Sequence, residues 1–455
     1  MIESISGIRG KVEEFSEEIV TQYAIAVTHY LKEIKNAKIV FGTDTRPSGK
    51  LIKEIFTSVL TSAGVSVIDV RILPTPTIQI LTKHFKTDLG IMVTASHNPI
   101  EWNGIKFIHG DGRFLFEDEL SKLLQFKSQI ALSSDTHAVL ETPSHPEEIH
   151  ISKILEEFDL SLITSAKLHV AVDVCNGAGY KIIPALLKIL GVEITLIHDN
   201  PKKPFERVPE PTADSLKKLC ETVKKKECAI GFAVDPDADR LSLVDENGNA
   251  MGEESTLLLA FYYALEKFKW KNAKCVTNLS TTGKLDWLAK KYNAEIFRSK
   301  VGEINVTQKI LESKALFGGE GNGGVIFPKI GLGRDSLVGI VLILEMLAIL
   351  KKPLSEINSI FPKTYMIKDK ITLSSRLTAH GSQFFDDLIE KFKREYPDAQ
   401  INRLDGVKII IDDLTWVHIR KSNTEDVIRV IYEAPGKEQT NEIGSIIKEL
   451  LALGS

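Results

Sequence analysis

Short apolar-rich runs alternate with stretches of helical spacing along most of the chain. In the first segment, residues 36–42, 65–72 and 89–93 predict buried strands. Residues 48–63 and 76–85, which lie between these runs, predict helices. Strands that alternate with helices are typical of parallel sheets with right-handed crossover connections. The segment is therefore predicted to fold as a βαβαβ unit.

This order of elements occurs twice more, which predicts three similar domains. The second copy begins with a predicted strand at residues 165–172 and ends with one at 229–234. The third copy begins at 272–277 and ends at 315–318. All three copies open on the dipeptide Ala-Lys, and the shared opening and matching element order favour a duplication.

The last part of the chain follows a different pattern. Its predicted elements are, in order, a helix at 382–396, strands at 407–411, 416–419 and 427–432, and a helix at 441–450. This succession predicts a small α+β domain with a mostly antiparallel sheet. The predicted fold class is thus α/β, with three βαβαβ-type domains of mixed, mostly parallel sheets and a C-terminal α+β domain. The predicted domain bounds are 1–146, 147–250, 251–362 and 363–455.

Composition and charge exclude several function classes. The 455 residues carry a net charge of -4, which argues against a dedicated nucleic-acid-binding protein. The apolar run 337–350 is shorter than the ~20 residues that span a bilayer, and it predicts a buried helix. The four cysteines have no C-x-x-C or zinc spacing, and the first residues do not resemble a signal peptide. A cytoplasmic protein without nucleic-acid or membrane partners is expected.

A polar loop follows the third predicted strand of each copy. The loops are T-A-S-H-N-P at 94–99, D-P-D-A-D-R at 235–240 and G-E-G-N-G-G at 319–324. Open α/β sheets place their sites at the carboxyl ends of such strands. If the three copies pack about a common centre, the loops converge on one cleft.

The first loop offers a hydroxyl. Ser96 follows a buried strand, and Pro99 stops any continuation of that strand, so Ser96 is expected at a turn that displays its side chain. Such a serine can act as a nucleophile or as a carrier of a phosphoryl group. A turn without chemical function is the alternative.

The second loop predicts a divalent-metal site. Asp235, Asp237 and Asp239 place three carboxylates at alternate positions, and Mg²⁺ prefers such oxygen ligands. A calcium EF-hand is rejected because Arg240 stands where that loop needs glycine. A phosphatase of the haloacid-dehalogenase type, with Asp235 as nucleophile, is weakened by Asp239, which replaces the usual Thr or Val.

Two further stretches offer groups that suit a phosphorylated sugar. Glu320 and Asn322 are the only side chains of the glycine loop, and they suit sugar hydroxyls, while its glycines allow close approach of a ligand. A second stretch, 420–429, is rich in groups that bind phosphate. Its phosphate-binding candidates are Arg420, Ser422, Asn423, Thr424 and Arg429. Since no nucleotide-binding P-loop is visible, the protein itself must store the phosphoryl group, and Ser96 is the candidate store.

The motifs resemble those of the α-D-phosphohexomutase family, which includes phosphoglucomutase/phosphomannomutase and phosphoglucosamine mutase. Besides the three loops, the matching motifs are S-G-I-R-G at 6–10, G-T-D-T-R-P-S at 42–48, P-T-P at 74–76 and R-K-S-N-T-E at 420–425. They occur in the family's order over essentially the whole chain. The resemblance implies four domains around a central active-site cleft.

The resemblance also implies a mechanism. Ser96 would be phosphorylated in the resting enzyme, and Mg²⁺ would lie between this phosphate and Asp235, Asp237 and Asp239. The phosphoryl group would pass to a hexose 1- or 6-phosphate, giving a hexose 1,6-bisphosphate that returns its other phosphate to Ser96. Small sugar phosphates are the expected partners, and a homodimer is left open.

Site residues carry over by their positions in these motifs. Three further residues match the family elsewhere: Lys106 in N-G-I-K at 103–106, Lys300 in K-V-G-E at 300–303, and Arg429, which closes the phosphate loop. The catalytic set is Ser96, Lys106, Arg9, His97 and Arg240. The substrate-binding set is Glu320, Asn322, Lys300, Arg420, Ser422, Asn423, Thr424 and Arg429. Within the first set, His97 is expected to orient Ser96 and not to act as its base, because neighbouring side chains in an extended turn diverge.

Three positions depart from the family pattern. Gly324 stands where many bacterial members have His, Asp426 replaces the Pro of the phosphate loop, and residues 3–6 replace the usual F-G-T-D. The sequence leaves the sugar open between glucose, mannose and glucosamine. A metal-dependent sugar phosphatase and a sugar-phosphate-binding protein without activity are the alternative functions.

Overall fold

The computed structural model describes residues 1–134, 138–372, 381–422 and 427–453. The chain divides into two units: unit 1 comprises Met1–Tyr263 and Leu316–Ser355, and unit 2 comprises Ala264–Ala315 and Glu356–Ser455. The third repeat therefore contributes its last strand and its glycine loop to unit 1, and its earlier elements to unit 2.

Helices and strands alternate as the apolar pattern predicts. The described helices are α1 (Glu17–Leu31), α2 (Gly49–Ser62), α3 (Thr75–His84), α4 (Glu117–Leu124), α5 (Glu147–Leu155), α6 (Leu160–Ser165), α7 (Gly179–Ile189), α8 (Lys217–Lys225), α9 (Glu254–Phe268), α10 (Lys284–Tyr292), α11 (Glu303–Ser313), α12 (Ser336–Leu350), α13 (Leu354–Asn358), α14 (Gly381–Glu395) and α15 (Lys437–Leu453). The strands are β1 (Ile2–Ser4), β2 (Gly7–Lys11), β3 (Lys38–Thr43), β4 (Ser66–Ile72), β5 (Leu89–Val93), β6 (Trp102–His109), β7 (Leu140–Glu141), β8 (His169–Asp173), β9 (Glu193–Ile197), β10 (Ile230–Val234), β11 (Leu241–Val244), β12 (Lys274–Asn278), β13 (Glu295–Ser299), β14 (Phe317–Glu320), β15 (Gly324–Ile326), β16 (Tyr365–Thr372), β17 (Gln400–Asn402), β18 (Val407–Ile410), β19 (Trp416–Lys421) and β20 (Val427–Ala434).

The first repeat forms the middle of a seven-stranded mixed sheet in unit 1, with the order β1-β2-β6-β5-β3-β4-β7. β3 lies parallel to both β4 and β5, with Ile39 opposite Leu89, as predicted. The sequence analysis missed β6, which pairs antiparallel with β5 and places Lys106 opposite Met92. β6 thus brings Lys106 back beside the strand that ends at the Ser96 loop.

The second repeat forms a four-stranded sheet in unit 1, with the order β11-β10-β8-β9. β10, β8 and β9 are parallel, and β11 is antiparallel to β10. The predicted opening strand at 165–172 begins too early, because α6 ends at Ser165, a turn follows, and β8 starts only at His169. The Asp159 side chain accepts a hydrogen bond from the Ser161 amide and thereby starts that helix.

The third repeat supplies one strand pair to each unit. In unit 2, β12 and β13 are parallel, with Lys274 opposite Glu295. In unit 1, β14 and β15 form an antiparallel hairpin with Glu320 opposite Gly324. The hairpin turn therefore consists of residues 321–323, and it places Glu320 at the end of a strand.

The C-terminal part forms a five-stranded sheet in unit 2, with the order β16-β20-β19-β18-β17. All four strand pairs in this sheet are antiparallel, which confirms the predicted α+β pattern. The sequence analysis missed β16 and β17. β16 is rich in charged residues, so its apolar signal is weak.

The apolar run at 337–350 is a buried helix, as predicted. The residues of α12 from Ser336 to Ala348 are buried, and they include the acidic residue Glu345. Its carboxylate accepts hydrogen bonds from the Tyr263 hydroxyl at 3.0 Å and the Asp159 amide at 2.9 Å, which offsets the cost of burying it. Within the described part of the chain, no helix is long and apolar enough to cross a membrane.

Candidate active site

Ser96 lies in a sharp turn directly after β5. Its φ is +49°, a left-handed conformation that residues other than glycine adopt rarely. The Ser96 amide donates to Thr94 Oγ1 at 2.8 Å, and the Arg46 guanidinium donates to the Ser96 carbonyl at 2.7 Å. These contacts hold the turn on both sides of the strained residue.

The Arg46 side chain is fixed by a buried ion pair. Its Nε lies 3.0 Å from Asp44 Oδ2, and both side chains are fully buried. The same guanidinium donates to the carbonyls of Asn98 and Pro99, while the Thr94 hydroxyl donates to Asp44 at 2.7 Å. The loop that carries Ser96 is thus tied to β3 through its backbone.

The Ser96 hydroxyl points at the acidic loop. Ser96 Oγ donates to Asp235 Oδ2 at 2.9 Å and lies 3.4 Å from His97 Nδ1. The expectation that the side chains of residues 96 and 97 diverge is wrong, because the turn is left-handed at Ser96 and not extended. Burial, together with the guanidinium groups of Arg240 and Arg9, lowers the pKa of His97 well below its usual value. Both effects favour the neutral form of the imidazole beside Ser96.

The three aspartates follow β10 in a tight loop. One carboxylate oxygen from each of Asp235, Asp237 and Asp239 lies within 4.8 Å of the others, and all three residues are fully buried. Asp235 Oδ1 accepts from the amides of Asp239 and Arg240, both at 3.1 Å. The loop therefore closes around the Asp235 carboxylate.

Buried carboxylates this close repel one another unless cations lie near. Burial, with the carboxylates of Asp239 and Asp237, raises the pKa of Asp235 well above its usual value. For Asp237, burial alone would raise the pKa. The Lys106 ammonium at 2.8 Å and the other hydrogen-bond donors to Asp237 outweigh this effect, so the net result is a lowered pKa. Lys106 thus compensates the charge on one side of the cluster.

Two of the predicted arginines lie close to the same loops. Arg240 is buried, its Nε lies 4.0 Å from Asp239 Oδ1, and its guanidinium donates to Glu210. Arg9 donates to Asn98 Oδ1 at 2.8 Å. Burial and the charge of Arg240 lower the pKa of Arg9 to about 10, which leaves its guanidinium charged at neutral pH.

The donor set fits a hard divalent cation such as Mg²⁺. Among the described residues, Asp237 Oδ1 and Asp239 Oδ1 are buried carboxylate oxygens that accept no hydrogen bond. An unpaired buried charge is costly, and Mg²⁺ prefers carboxylate oxygens, with water or phosphate completing its coordination. Asp235, Asp237 and Asp239, together with an oxygen carried by Ser96, are the groups that would hold the ion.

The glycine loop lies beside this cluster in unit 1. Glu320 is buried and Asn322 is half-buried, with the Asn322 amide 3.4 Å from Glu320 Oε2. The glycines make close contacts within the protein: a Cβ at Gly323 would lie 2.3 Å from the Leu241 carbonyl oxygen. Packing against the chain therefore already requires glycine at this position, besides the predicted close approach of a ligand.

Arg334 joins the acidic and glycine loops, and the sequence analysis missed it. Its guanidinium donates to Asp239 Oδ2 at 2.6 Å and to Glu320 Oε2 at 2.9 Å. No motif marks this residue. By contrast, Thr75 lies in the P-T-P motif, and its hydroxyl donates to Asp237 Oδ2 at 2.6 Å. The motif could therefore have indicated that Thr75 contacts the acidic loop.

The remaining predicted residues lie in unit 2. Lys300 is exposed and directly follows β13. Arg420 on β19 lies opposite Arg429 on β20, and residues directly opposite share one face of the sheet. The buried Ser422 closes the same hairpin, its amide donating to the Val427 carbonyl at 2.8 Å.

Part of the predicted phosphate loop lies outside the described residues. These positions are Asn423 and Thr424, together with the departure at Asp426. Another departure, at residues 3–6, falls on the edge strand β1 and the turn after it. There Glu3 accepts a hydrogen bond from the Tyr23 hydroxyl at 2.6 Å.

The arrangement in unit 1 is suited to phosphoryl transfer. It combines a hydroxyl, three carboxylates that can hold a divalent cation, and the fixed positive charges of Lys106 and Arg240. Phosphoryl transfer relies on positioning and on offsetting negative charge more than on covalent chemistry by the protein. The buried carboxylate Glu320 adds an acceptor for hydroxyl groups beside these charges.

Comparison with protein families covers most of the chain. Residues 3–133, 148–248 and 252–365 match the phosphoglucomutase/phosphomannomutase alpha/beta/alpha domains I, II and III. Residues 385–450 match the C-terminal domain of the same group.

Similar proteins extend over nearly the full length. The phosphoglucomutase/phosphomannomutase of Thermococcus kodakarensis is 36% identical over 446 residues, covering 96% of this chain and 95% of the relative. The phosphoglucosamine/phosphogalactosamine mutase of Sulfurisphaera tokodaii is 32% identical over 455 residues, covering 98% of each. A crystal structure of a phosphoglucomutase/phosphomannomutase family protein from Burkholderia thailandensis has a TM-score of 0.86 at 23% identity, covering 100% of this chain and 97% of that one. It shares the fold.

Proposed function

Because the chain belongs to the phosphoglucomutase/phosphomannomutase family and is an intramolecular phosphotransferase, we propose that it interconverts hexose 1-phosphate and hexose 6-phosphate through a phosphoserine at Ser96. The observation that carries the proposal is the 2.9 Å contact between Ser96 Oγ and Asp235 Oδ2. It places the hydroxyl at the edge of a carboxylate cluster suited to Mg²⁺.

The transfer has two halves. In the first, a free hydroxyl oxygen of the sugar phosphate bonds to phosphorus as the bond between Ser96 Oγ and phosphorus breaks. The sugar hydroxyl loses a proton, and Ser96 Oγ regains one. The product is a hexose 1,6-bisphosphate, which turns within the site and returns its other phosphate to Ser96 Oγ.

The protein's own groups hold and orient the reactants. Arg46 and Asp44 keep the Ser96 turn in its left-handed conformation. Lys106 and Arg240 offset negative charge near the transferring group. A divalent cation bound by the aspartates would supply further charge compensation.

Glu320 and Asn322 are proposed to bind sugar hydroxyls, and Arg420, Ser422 and Arg429, with Asn423 and Thr424, to bind the phosphate that is not reacting. Lys300 is assigned to the substrate-binding set on its match to the family motif. The four domains with bounds 1–146, 147–250, 251–362 and 363–455 remain the proposed division of the chain.

The geometry around Asp235 argues against the phosphatase alternative with an aspartyl nucleophile. Asp235 Oδ1 accepts two amide hydrogen bonds, and Oδ2 accepts the Ser96 hydroxyl. Attack by Oδ1 on phosphorus would break the two amide hydrogen bonds that close the loop. Oδ2 faces the Ser96 hydroxyl, which is the phosphoryl carrier of the proposed function.

Intact-mass analysis and turnover of Ser96→Ala test the proposal. The wild-type protein is expected to carry one phosphate, which Ser96→Ala lacks, and turnover should fall on the order of 10³-fold or more. Ser359→Ala, at an exposed serine, is the matched control and should behave as wild type. Normal turnover of Ser96→Ala, or net release of inorganic phosphate in place of isomerised sugar, would contradict the phosphoserine mutase.

The preferred sugar is tested separately. The relative from Thermococcus kodakarensis, at 36% identity, is named a phosphoglucomutase/phosphomannomutase, and that from Sulfurisphaera tokodaii, at 32%, a phosphoglucosamine/phosphogalactosamine mutase. Glucose and mannose phosphates are therefore the first substrates to test, with glucosamine phosphate as the alternative. The kcat/KM values of the three 1-phosphates, with a catalytic amount of hexose 1,6-bisphosphate, decide between these and a phosphoglucosamine mutase.

A further inference from the structure

Gly324 and Arg334 share one space. A Cβ placed on Gly324 would lie 2.1 Å from Arg334 Cδ and 2.7 Å from Arg334 Cγ. No side chain can stand at position 324 while Arg334 keeps this conformation. The glycine that departs from the family pattern is thus explained by a second residue ten positions later in the chain.

The Arg334 guanidinium joins two loops that differ in chemistry. It donates to Asp239 Oδ2 at 2.6 Å in the acidic loop and to Glu320 Oε2 at 2.9 Å in the glycine loop. Arg334, Asp239 and Glu320 are all buried. A planar guanidinium with two buried carboxylate partners fixes the orientation of both, because its donors point in set directions.

The backbone that carries Arg334 is itself anchored. Asp335 caps α12 by accepting from the Leu337 amide at 2.9 Å, and His150 Nε2 lies 2.8 Å from its Oδ2. The Ser336 hydroxyl donates to the Ala238 carbonyl at 2.7 Å, inside the acidic loop. The start of α12 therefore fixes the origin of the Arg334 side chain relative to the aspartates.

The contact with Arg334 gives the two oxygens of the Asp239 carboxylate different surroundings. Oδ2 is occupied by Arg334 and lies 3.7 Å from the Lys106 ammonium. Oδ1 is buried and, among the described residues, accepts no hydrogen bond. Arg334 thus holds Asp239 Oδ2 by a hydrogen bond and leaves Asp239 Oδ1 available to a cation.

We propose that Arg334 is a positioning residue that couples the metal-binding carboxylate Asp239 to the sugar-binding carboxylate Glu320, and that Gly324 is required to make room for it. The part of this inference that concerns sugar binding by Glu320 rests on the proposed function. The part that concerns metal binding by Asp239 rests only on the geometry of the acidic loop. Losing Arg334 should therefore change metal affinity and sugar turnover together.

The first variant is Arg334→Lys, which keeps the charge but cannot reach two carboxylates with one planar group. Titration with Mn²⁺ alone, by calorimetry, is expected to show an affinity about 10–100-fold lower than that of the wild-type protein. The kcat/KM for the hexose 1-phosphate should fall by a similar factor. Gly324→Ala should move both quantities in the same direction, because its Cβ displaces Arg334 Cδ.

A double variant tests whether the two positions act through one contact. Arg334→Lys combined with Gly324→Ala should lose less Mn²⁺ affinity than the product of the single losses, since both single changes disturb the same pairing. If the loss of Mn²⁺ affinity in the double variant equals the product of the two single losses, the claim that Gly324 makes room for Arg334 is overturned.

Arg113→Lys is the matched control. Arg113 is equally buried, lies between β6 and α4, and pairs through both terminal nitrogens with Glu119, at 2.6 and 2.7 Å, and not with the acidic or glycine loop. Its replacement should lower thermal stability and leave Mn²⁺ affinity and kcat/KM unchanged. If Arg334→Lys behaves in the same way, Arg334 is only structural and the proposal fails.

The readouts separate this inference from the proposed function. If the wild-type protein does not interconvert hexose phosphates, the mutase proposal fails, and the Mn²⁺ titrations still decide the role of Arg334. If the wild type is a mutase and Arg334→Lys binds Mn²⁺ and turns over sugar phosphate normally, only the Arg334 inference is overturned.

Discussion

At the scale of single residues, burial decides which groups titrate. His418 on β19 is almost fully buried, with Nδ1 2.8 Å from Ser280 Oγ and Nε2 2.7 Å from the Asp405 carbonyl oxygen. A carbonyl can only accept, so Nε2 carries the proton and Nδ1 accepts from the serine. The neutral ring is therefore fully paired.

This pairing predicts acid sensitivity of unit 2. Burial, against the smaller opposing effect of the Asp405 carbonyl, lowers the pKa of His418 to about 3, while an unfolded histidine has a pKa of about 6.5. The unfolded chain binds the proton first, so stability is full above about pH 6.5 and is lost as the pH falls from there toward 3. Between pH 7 and pH 5 this residue should remove about 2 kcal/mol from the free energy of unfolding.

Urea unfolding of the wild type and of His418→Gln, followed by tryptophan fluorescence, measures this loss. Three of the four tryptophans, at positions 270, 287 and 416, belong to unit 2, so the signal reports chiefly on that unit. The loss between pH 7 and pH 5 should be smaller in the variant by about 2 kcal/mol. His84→Gln, at an exposed ring, should keep the wild-type pH dependence. An equal pH dependence in His418→Gln would contradict the assignment.

Residues whose own side chains carry the chemistry and which lie in distinctive motifs could be predicted from the sequence. A residue that only positions other side chains, such as Arg334, could not. Ser96 and the three aspartates stand at strand ends in distinctive motifs, and the structure brings them together. Arg334 lies 95 residues from Asp239 and 14 from Glu320 in the sequence. Its position also depends on the absence of a side chain at Gly324. Only three-dimensional packing relates these positions.

At the scale of elements, the loop after β8 supports the loop after β10. The Ala178 amide donates to the Pro236 carbonyl at 2.7 Å. A Cβ on Gly177 would lie 2.5 Å from the Pro236 carbonyl oxygen and 2.6 Å from Pro236 Cα. These are backbone atoms, so an added methyl group must move the loop that carries the aspartates.

Gly177→Ala is expected to weaken Mn²⁺ binding about 10-fold and to lower the free energy of unfolding by about 1–3 kcal/mol. Calorimetric titration and urea unfolding measure the two effects. Gly436→Ala, where an added Cβ meets nothing within 4 Å, should change neither. Unchanged Mn²⁺ affinity in Gly177→Ala would show that the aspartate loop does not depend on this contact.

The periodic elements follow from the sequence because apolar runs mark buried strands wherever helices cover both faces of a sheet. Three strands that the sequence analysis missed lack this signal. β6 contains Lys106 among its apolar residues, β16 carries charges along its length, and β17 has only three residues. Strands of this kind are stabilised by pairing with neighbours, which a local pattern does not reveal.

At the scale of the whole molecule, the proposed functions are divided between the two units. Ser96, the aspartates and Arg334 all belong to unit 1, while Arg420 and Arg429 belong to unit 2. The two arginines are register partners on adjacent strands, and like charges directly opposite one another are destabilising. A bound phosphate would offset this cost.

This division predicts that substrate binding can be weakened without changing the phosphoserine or the metal site. Arg420→Ala should raise KM for the hexose phosphate about 10–100-fold, the range expected for a lost hydrogen bond to a charged group. Its intact mass should still include one phosphate at Ser96, and its Mn²⁺ affinity should equal that of the wild type.

Steady-state kinetics with intact-mass analysis and Mn²⁺ titration give the three readouts. Arg403→Ala is the control, because Arg403 is an exposed arginine of unit 2 that pairs with Asp386, and it should leave all three unchanged. An unchanged KM in Arg420→Ala would remove this arginine from the phosphate site. A loss of phosphate from Ser96 or of Mn²⁺ affinity would show that the arginine acts on the chemistry of unit 1, against the proposed division of roles.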